Sequence, residues 1–395
     1  MKKATREQTK SHNKTLILNT IYNNSEISRA SVARKTGLTR STVSDIVAEF
    51  IEEGLVAEIG QGQSAGGKPP ILLTVIEEAR HIIGIDLASS EFRGALIDLR
   101  GGIKDRINLP INNLSGEEAL SLVYQLIDKL LELNSVPILG IGIGTPGLMD
   151  AERGIVRNAV NLDWHDLPLA DLLRERYQLP VFIANDSQVS ALAEFTFGES
   201  RGIPNLLLIK VGRGVGAGIV LNQQLYYGDG FGAGEIGHVK VDPNGELCRC
   251  GNYGCLETKI SSRAIQREAQ KLAEKNASSI INQLVDTSEA ITTEVVLEAF
   301  EKGDADVGAI IEQVGKDLGN VLAYLVSLLN IERVVVAGSV STFGEGVSDP
   351  IKKQLQSNTL AAISQNVEIE ISNLGEEIVM LGAAGMVLQN ELGIL

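Results

Sequence analysis

A two-lobed α/β body behind a small winged helix-turn-helix is the architecture this sequence predicts. Three observations predict it. Helical spacing of apolar residues runs up to Gly54, whereas from Arg80 onward strand and helix patterns alternate. The charge is split: residues 1–48 hold nine Lys/Arg against three acids, a net +6, so the remainder must carry −21 to give the chain's net −15. At 395 residues the chain exceeds one ordinary core, which predicts two or three domains.

A basic head on an acidic body suits a small phosphate-contacting module joined to a larger domain, although a basic N-terminal tail gives the same balance. Apolar runs such as 138–143 are far shorter than a membrane span. Lys2, Lys3, Arg6, Lys10 and Lys14 are followed by no apolar stretch of the signal-peptide kind, so a cytoplasmic protein without membrane association is expected. Cys248, Cys250 and Cys255 lie within one stretch of eight residues. That excludes a dispersed disulfide framework and points to metal or redox chemistry.

In the N-terminal module, Ile17 and Ile21, flanked by Leu16 and Leu18, predict a helix over 14–23. Ser28 is placed to cap a second helix, 29–36, with Ala30 and Ala33 turned inward. Gly37 supplies the left-handed turn residue. Thr39 caps a third helix whose buried stripe is Val43, Ile46, Val47 and Phe50, closed by Gly54. Helix, glycine turn and helix make a helix-turn-helix. Thr39, Arg40, Ser41, Thr42 and Ser44 then stand on the exposed first turns of the recognition helix, as short donors and one guanidinium suited to base edges and phosphates. Residues 56–59 and 71–75 read as the two strands of a wing, with Lys68 near its tip as a further DNA contact. The competing assignment is a small helical protein-interaction domain.

In the body, strands are expected at 82–86, 94–98, 103–109 and 138–144, with a helix capped by Ser115 running to 131. A second set follows at 181–185, 205–211 and 217–221, then a long helix at 304–329, a strand at 333–338 and a final helix at 376–388. A strand meander followed by βα units, occurring twice, predicts two α/β lobes flanking a cleft.

Three constellations carry chemistry. One imidazole and three thiolates, His238 with Cys248, Cys250 and Cys255, complete a tetrahedral zinc site with no position left for water, hence a structural one. Gly251 and Gly254 let the loop return Cys255 to it. The alternative is three small buried residues with free thiols. Asn185 and Asp186 end a strand just before a helix, where α/β folds bind ligands. Asp186 there is either a proton acceptor for a sugar hydroxyl or a helix cap. Finally, Gly212, Gly214, Gly216 and Gly218 alternate through a turn between two strands, allowing backbone N–H groups to approach a phosphate. Glu235 and Glu257 are acceptors for sugar hydroxyls or plain surface acids.

These motifs resemble the ROK family, named for repressors, open reading frames and kinases, over nearly the whole chain. The most specific part is Gly234, Glu235, Ile236, Gly237, His238 followed, ten residues after the histidine, by Cys248, Cys250 and Cys255. Gly144, Thr145, Pro146, Gly147 and the Asn185-Asp186 pair match as well. The resemblance implies an actin-like ATPase (ribonuclease H-like) body with sugar bound in the cleft. It implies zinc on His238, Cys248, Cys250 and Cys255. It also implies that Asn161, Asn185, Asp186, Glu235, His238 and Glu257 hold sugar hydroxyls, His238 touching both metal and sugar. The winged helix is similar to that of the family's xylose and N-acetylglucosamine repressors.

Two departures separate this sequence from the family's kinases, which carry Asp-x-Gly-Gly-Thr in the first strand turn. Here that turn reads Asp86, Leu87, Ala88, Ser89, Ser90, Glu91, and in the second loop Arg213 replaces the usual Thr or Ser. A β-carbon and a carboxylate facing a triphosphate oppose its binding. The expectation is a sugar-responsive repressor that has lost ATP, with Asp186 a vestigial base and no catalytic residue. Its partners would be operator DNA, a sugar or sugar phosphate effector, and a second copy in a homodimer or homotetramer. The competing reading is an active ATP-dependent sugar kinase with an accessory DNA-binding domain. Domains are expected at 1–76, at 77–195 with the helix 376–395 packing back on it, and at 196–375.

Overall fold

The computed structural model describes residues 5–63, 69–88, 90–230 and 232–394. They form two compact units, one of residues 1–147, 151–183 and 383–395, the other of 148–150 and 184–382.

The first unit opens with α1 (Arg6–Tyr22), β1 (Ile27–Ser28), α2 (Arg29–Thr36), α3 (Arg40–Glu52), β2 (Val56–Gln61) and β3 (Ile71–Val75). The helix α1 begins well before the predicted residue 14. Its first turns have no apolar residue to reveal it, but Thr5 and Gln8 form a reciprocal capping box that fixes its start. Ser28 and Thr39 cap α2 and α3 by accepting from the Ser31 and Thr42 amides, both at 3.2 Å. Gly37 is left-handed, with φ of 71°, between them. Val43, Ile46, Val47 and Phe50 are buried as the stripe predicts, each contributing about 1.5–3 kcal/mol of burial. On α2 the buried pair is Val32 and Ala33, and Ala30 is exposed. Ala30 and Val32 are separated by about 200° around the helix, so only one of them can face the core. Strand β3 pairs with β1 and, across a bulge between Glu58 and Gly60, with β2 to form the wing sheet. Lys68 lies outside the described residues.

A five-stranded sheet follows, of β4 (His81–Asp86), β5 (Glu91–Asp98), β6 (Ile103–Pro110), β7 (Ile138–Thr145) and, beyond the short strands β8 (Leu148–Asp150), β9 (Ile155–Ala159) and β10 (Trp164–Leu167), β11 (Val181–Asn185). Its order is β11-β7-β4-β5-β6. Here β4 and β5 are antiparallel and β4 and β7 parallel. Two helices accompany it, α4 (Gly116–Leu133) and α5 (Leu169–Tyr177). Ser115 occupies the N-cap of α4 but its side chain makes no capping bond, unlike the expectation.

The second unit repeats the scheme. After α6 (Asp186–Thr196), the hairpin of β12 (Leu206–Val211) and β13 (Val215–Leu221) adds β14 (Gln224–Leu225) on one side. The other side adds parallel β15 (Arg333–Ala337) and β16 (Glu368–Ile371). Between these lie α7 (Glu257–Ile260), α8 (Ser262–Lys275), α9 (Ile281–Leu284), α10 (Thr293–Glu301) and α11 (Ala305–Leu329), then α12 (Glu345–Asn358) and α13 (Ala361–Ser364), with α14 (Ile378–Val387) near the end of the chain. Asp304 caps α11 by accepting from the amides of Asp306 and Val307. Leu207, Ile209 and Val211 of β12 and Ile311, Leu318 and Leu322 of α11 share one apolar core. No helix among the described residues is long and apolar enough to cross a membrane.

Candidate functional site

The DNA-facing candidates follow directly from the Thr39 cap. Its hydroxyl is within 2.9 Å of the Ser41 hydroxyl and 2.8 Å of that of Thr42, which orders the first turn of α3. Thr39, Arg40, Ser41 and Ser44 are exposed and Thr42 is half-buried. Behind them, Lys10 and Lys14 of α1 pair with Glu49 at 2.7 and 2.8 Å, and Arg29 pairs with Glu58 at 2.7 Å. Part of the basic count therefore braces the module internally.

In the second unit, His238, Cys248, Cys250 and Cys255 bring their ligand atoms within 4.8 Å of one another. His238 Nδ1 lies 3.6 Å from Cys248 Sγ, and Cys250 Sγ lies 3.6 Å from Cys255 Sγ. Tetrahedral zinc with its usual bond lengths needs about 3.6 Å between N and S and about 3.8 Å between sulfurs, so these residues fit the ion. The loop depends on Gly254, at φ of 74°, where a β-carbon would stand 1.7 Å from the Asp242 carbonyl. Burial and the neighbouring thiols push the Cys255 thiol up to about 12. A divalent cation held among the sulfurs would supply the charge that offsets this.

On the other edge of the same imidazole, His238 Nε2 lies 3.8 Å from the Glu235 carboxylate. Burial holds the Glu235 carboxyl above its ordinary range; His238 pulls it back, while Asp186 and Glu257 push it further up. Glu235 and Glu257 are both half-buried rather than plain surface acids. Glu257 accepts from the Val215 amide at 3.1 Å, which ties it to the glycine-rich hairpin. Asn185 is the residue that caps α6, accepting from the Ser187 amide at 2.9 Å. Asp186 is thus the first helical residue. Its Oδ1 accepts from the same amide at 2.8 Å, and its Oδ2 meets Lys210 Nζ at 2.6 Å.

Asn185, Asp186, Glu235, His238 and Glu257 all belong to the second unit, whereas Asn161 is exposed in the first, between β9 and β10. Glu91, expected to repel phosphate, is itself paired with Arg93 at 2.7 Å, and Ser89 lies outside the described residues. Arg213 is exposed in the turn between β12 and β13. The arginines Arg213 and Arg249 add to burial in disfavouring the charged form of Arg263 on α8, so positive charge gathers beside that turn. Sequence reasoning missed Lys210. Its signal was present: one cation inside an otherwise apolar run, Leu206 to Val211.

A helix-turn-helix head carried by a twice-repeated α/β body with a thiol–imidazole cluster defines a class of DNA-binding regulators built on a kinase-like scaffold. The ROK family model matches residues 82–390 and a winged helix-turn-helix DNA-binding model matches 11–57, and the chain belongs to the ROK family. It is 34% identical to the xylose repressor of Caldicellulosiruptor bescii over 385 residues, 96% of each chain. Among solved structures it resembles a ROK family transcriptional regulator, a homologue of the E. coli MLC protein, with TM-score 0.85, 26% identity and coverage of 98% of this chain and 99% of that one. It also resembles a ROK family glucokinase from Streptomyces griseus in complex with glucose and AMPPNP, with TM-score 0.73 and 29% identity, covering 78% of this chain and 100% of that one. The fold is the actin-like ROK fold with an N-terminal winged helix-turn-helix.

Proposed function

We propose that this protein is a sugar-responsive transcriptional repressor of carbohydrate-utilisation genes, xylose use among the candidates, and that it is not an enzyme. The observation that carries the reading is the extent of its likeness to a xylose repressor, which includes the DNA-binding head as well as the body, at 96% of each chain. Thr39, Arg40, Ser41, Thr42 and Ser44 contact operator DNA, and Lys68, which falls between β2 and β3 in the sequence, is a further contact. Asn185, Asp186, Glu235, His238 and Glu257 hold the hydroxyls of the effector; Asn161 joins them on the family resemblance alone. His238, Cys248, Cys250 and Cys255 hold a structural zinc ion, which keeps the imidazole oriented toward Glu235. The protein works as a homodimer or homotetramer, because a two-fold pair of recognition helices suits two half-sites.

The test is fluorescence anisotropy on the DNA upstream of the protein's own gene, with and without a panel of pentoses and hexoses. Tight, salt-sensitive binding relieved by one sugar is expected. Absent or salt-insensitive binding would turn the head into a protein-interaction module.

A second reading, an ATP-dependent sugar kinase with an accessory DNA-binding domain, draws on the likeness to the Streptomyces griseus glucokinase and on Asp186. Against it stand the lost glycines between Asp86 and Glu91 and the Arg213 side chain. A coupled assay with ATP and the same sugars separates the two: turnover abolished by Asp186→Asn establishes the kinase.

A further inference from the structure

Lys210 is the one residue of β12 that is not buried among Leu206, Leu207, Leu208, Ile209 and Val211. It sits opposite Gly216 of β13 and Ala337 of β15. Its side chain keeps 22% of its exposure and Asp186 keeps 20%, and Nζ and Oδ2 are 2.6 Å apart. A largely desolvated ion pair contributes less to folding than apolar side chains of the same size. Asp186 is moreover already engaged through Oδ1 by the Ser187 amide at 2.8 Å and the Ser187 hydroxyl at 3.4 Å. The lysine is therefore a poor choice for stability and a good one for recognition.

We propose that Lys210 is a further effector-contacting residue, and that with Asp186 it forms a donor–acceptor pair for one hydroxyl of a neutral sugar. This rests on the reading of the surrounding carboxylates as a sugar site. The hydroxyl donates to Oδ2 and accepts from Nζ, which satisfies both of its roles. The local charge favours a free sugar: Arg213, Arg249 and Arg263 gather at the β12–β13 turn beside Glu257, but a phosphoryl group placed against Oδ2 of Asp186 would meet that carboxylate directly, with Glu235 adding to the repulsion.

Calorimetric titration of the whole, metal-loaded protein with free sugars, their phosphates and a monodeoxy series tests this. Wild type is expected to bind a free sugar, and folded Lys210→Met to bind it at least about tenfold more weakly with unchanged metal content. Removal of one particular hydroxyl should cost wild type a similar factor and Lys210→Met nothing further, a loss of discrimination that a merely structural lysine would not produce. Should Lys210→Met not fold, Lys210→Gln is read in the same way. Undiminished binding by the variant, or an equal penalty in both proteins for every deoxy sugar, overturns the role of Lys210. Binding of sugar phosphates alone overturns the neutral-ligand assignment. Wild type that binds no sugar of either kind refutes the sugar-responsive reading itself.

Discussion

The Tyr22 hydroxyl donates to the main-chain carbonyl of Leu99 at 2.8 Å, a hydrogen bond buried from solvent. Tyr22 ends the first helix of the DNA-binding module and Leu99 begins the turn between β5 and β6, so this bond fastens the head to the first α/β sheet. Arg100 strengthens it: its guanidinium lies 4.2 Å over the Tyr22 ring and donates to the Tyr22 carbonyl at 2.5 Å. Arg80 adds a bond to the Glu53 carbonyl at 3.1 Å. Tyr22→Phe keeps the ring and leaves the Leu99 carbonyl without its hydroxyl partner, a loss of about 1 kcal/mol. Arg100→Ala removes a hydrogen bond and a cation–π contact together, about 1–3 kcal/mol. Both variants should melt earlier in calorimetry, Arg100→Ala by more; melting curves identical to wild type would mean the fastening contributes nothing.

The Thr39 cap and Arg40 act at one helix end but separate in experiment. Thr39→Ala leaves the Thr42 amide unpaired and should cost about 1 kcal/mol of stability. Arg40 is exposed and takes no part in the packing of α3. Arg40→Ala should therefore leave the melting temperature alone, weaken operator binding, and reduce the slope of log affinity against log salt by about one if the guanidinium neutralises a phosphate. An anisotropy series across salt concentrations reads this. An unchanged affinity and slope would remove Arg40 from the interface.

Glu194 gives a pH dependence whose sign can be worked out. It is only 2% exposed, on α6. Burial raises its carboxyl above the ordinary range; the hydrogen bond from the Ser372 hydroxyl opposes this and Glu199 adds to it. A raised folded-state value means that the folded chain holds the proton more tightly than the unfolded one. Its contribution to stability is thus fully present below the unfolded value of about 4.3 and is lost as pH rises through the folded value. Glu194→Gln keeps the acceptor for Ser372 without a charge to bury. Urea unfolding should find it more stable than wild type at about pH 8, with the gap closing near pH 4. A constant gap across that range would show that ionisation of Glu194 has no part in it.

What could be read from the sequence depended on whether the cause was local. Caps and turns were legible because one side chain fixes each: Ser28, Thr39 and Gly37 end or begin helices where expected. Strands such as β11 and β15 announced themselves as apolar runs. The start of α1 did not, because a capping box in a polar stretch has no periodicity. The short strands β8 to β10 were missed for a similar reason, since only scattered residues such as Val156, Ala159 and Trp164 are buried along them. At the site, the ten-residue step from His238 to Cys248 was visible as spacing. The Lys210–Asp186 pair spans 24 residues and two elements, and exists only once β12 packs beside α6.

The cluster of His238, Cys248, Cys250 and Cys255 makes the last prediction, which turns on metal content. With their ligand atoms within 4.8 Å of one another, the four should hold one zinc ion per chain, measurable by mass spectrometry of the purified protein. Cys255 is fully buried and Cys250 exposed. Cys255→Ser therefore combines loss of a ligand with a buried hydroxyl in place of a thiolate, and should lower zinc content and stability more than Cys250→Ser does. Chelation should reproduce the Cys255→Ser melting curve in wild type, because metal binding to the folded state is folding free energy. Since His238 orients toward Glu235 from the same ring, sugar affinity should fall together with zinc content. Protein that is metal-free as isolated, with three freely titrating thiols and an unaltered melting temperature after chelation, would leave the cluster without an ion and His238 without its brace.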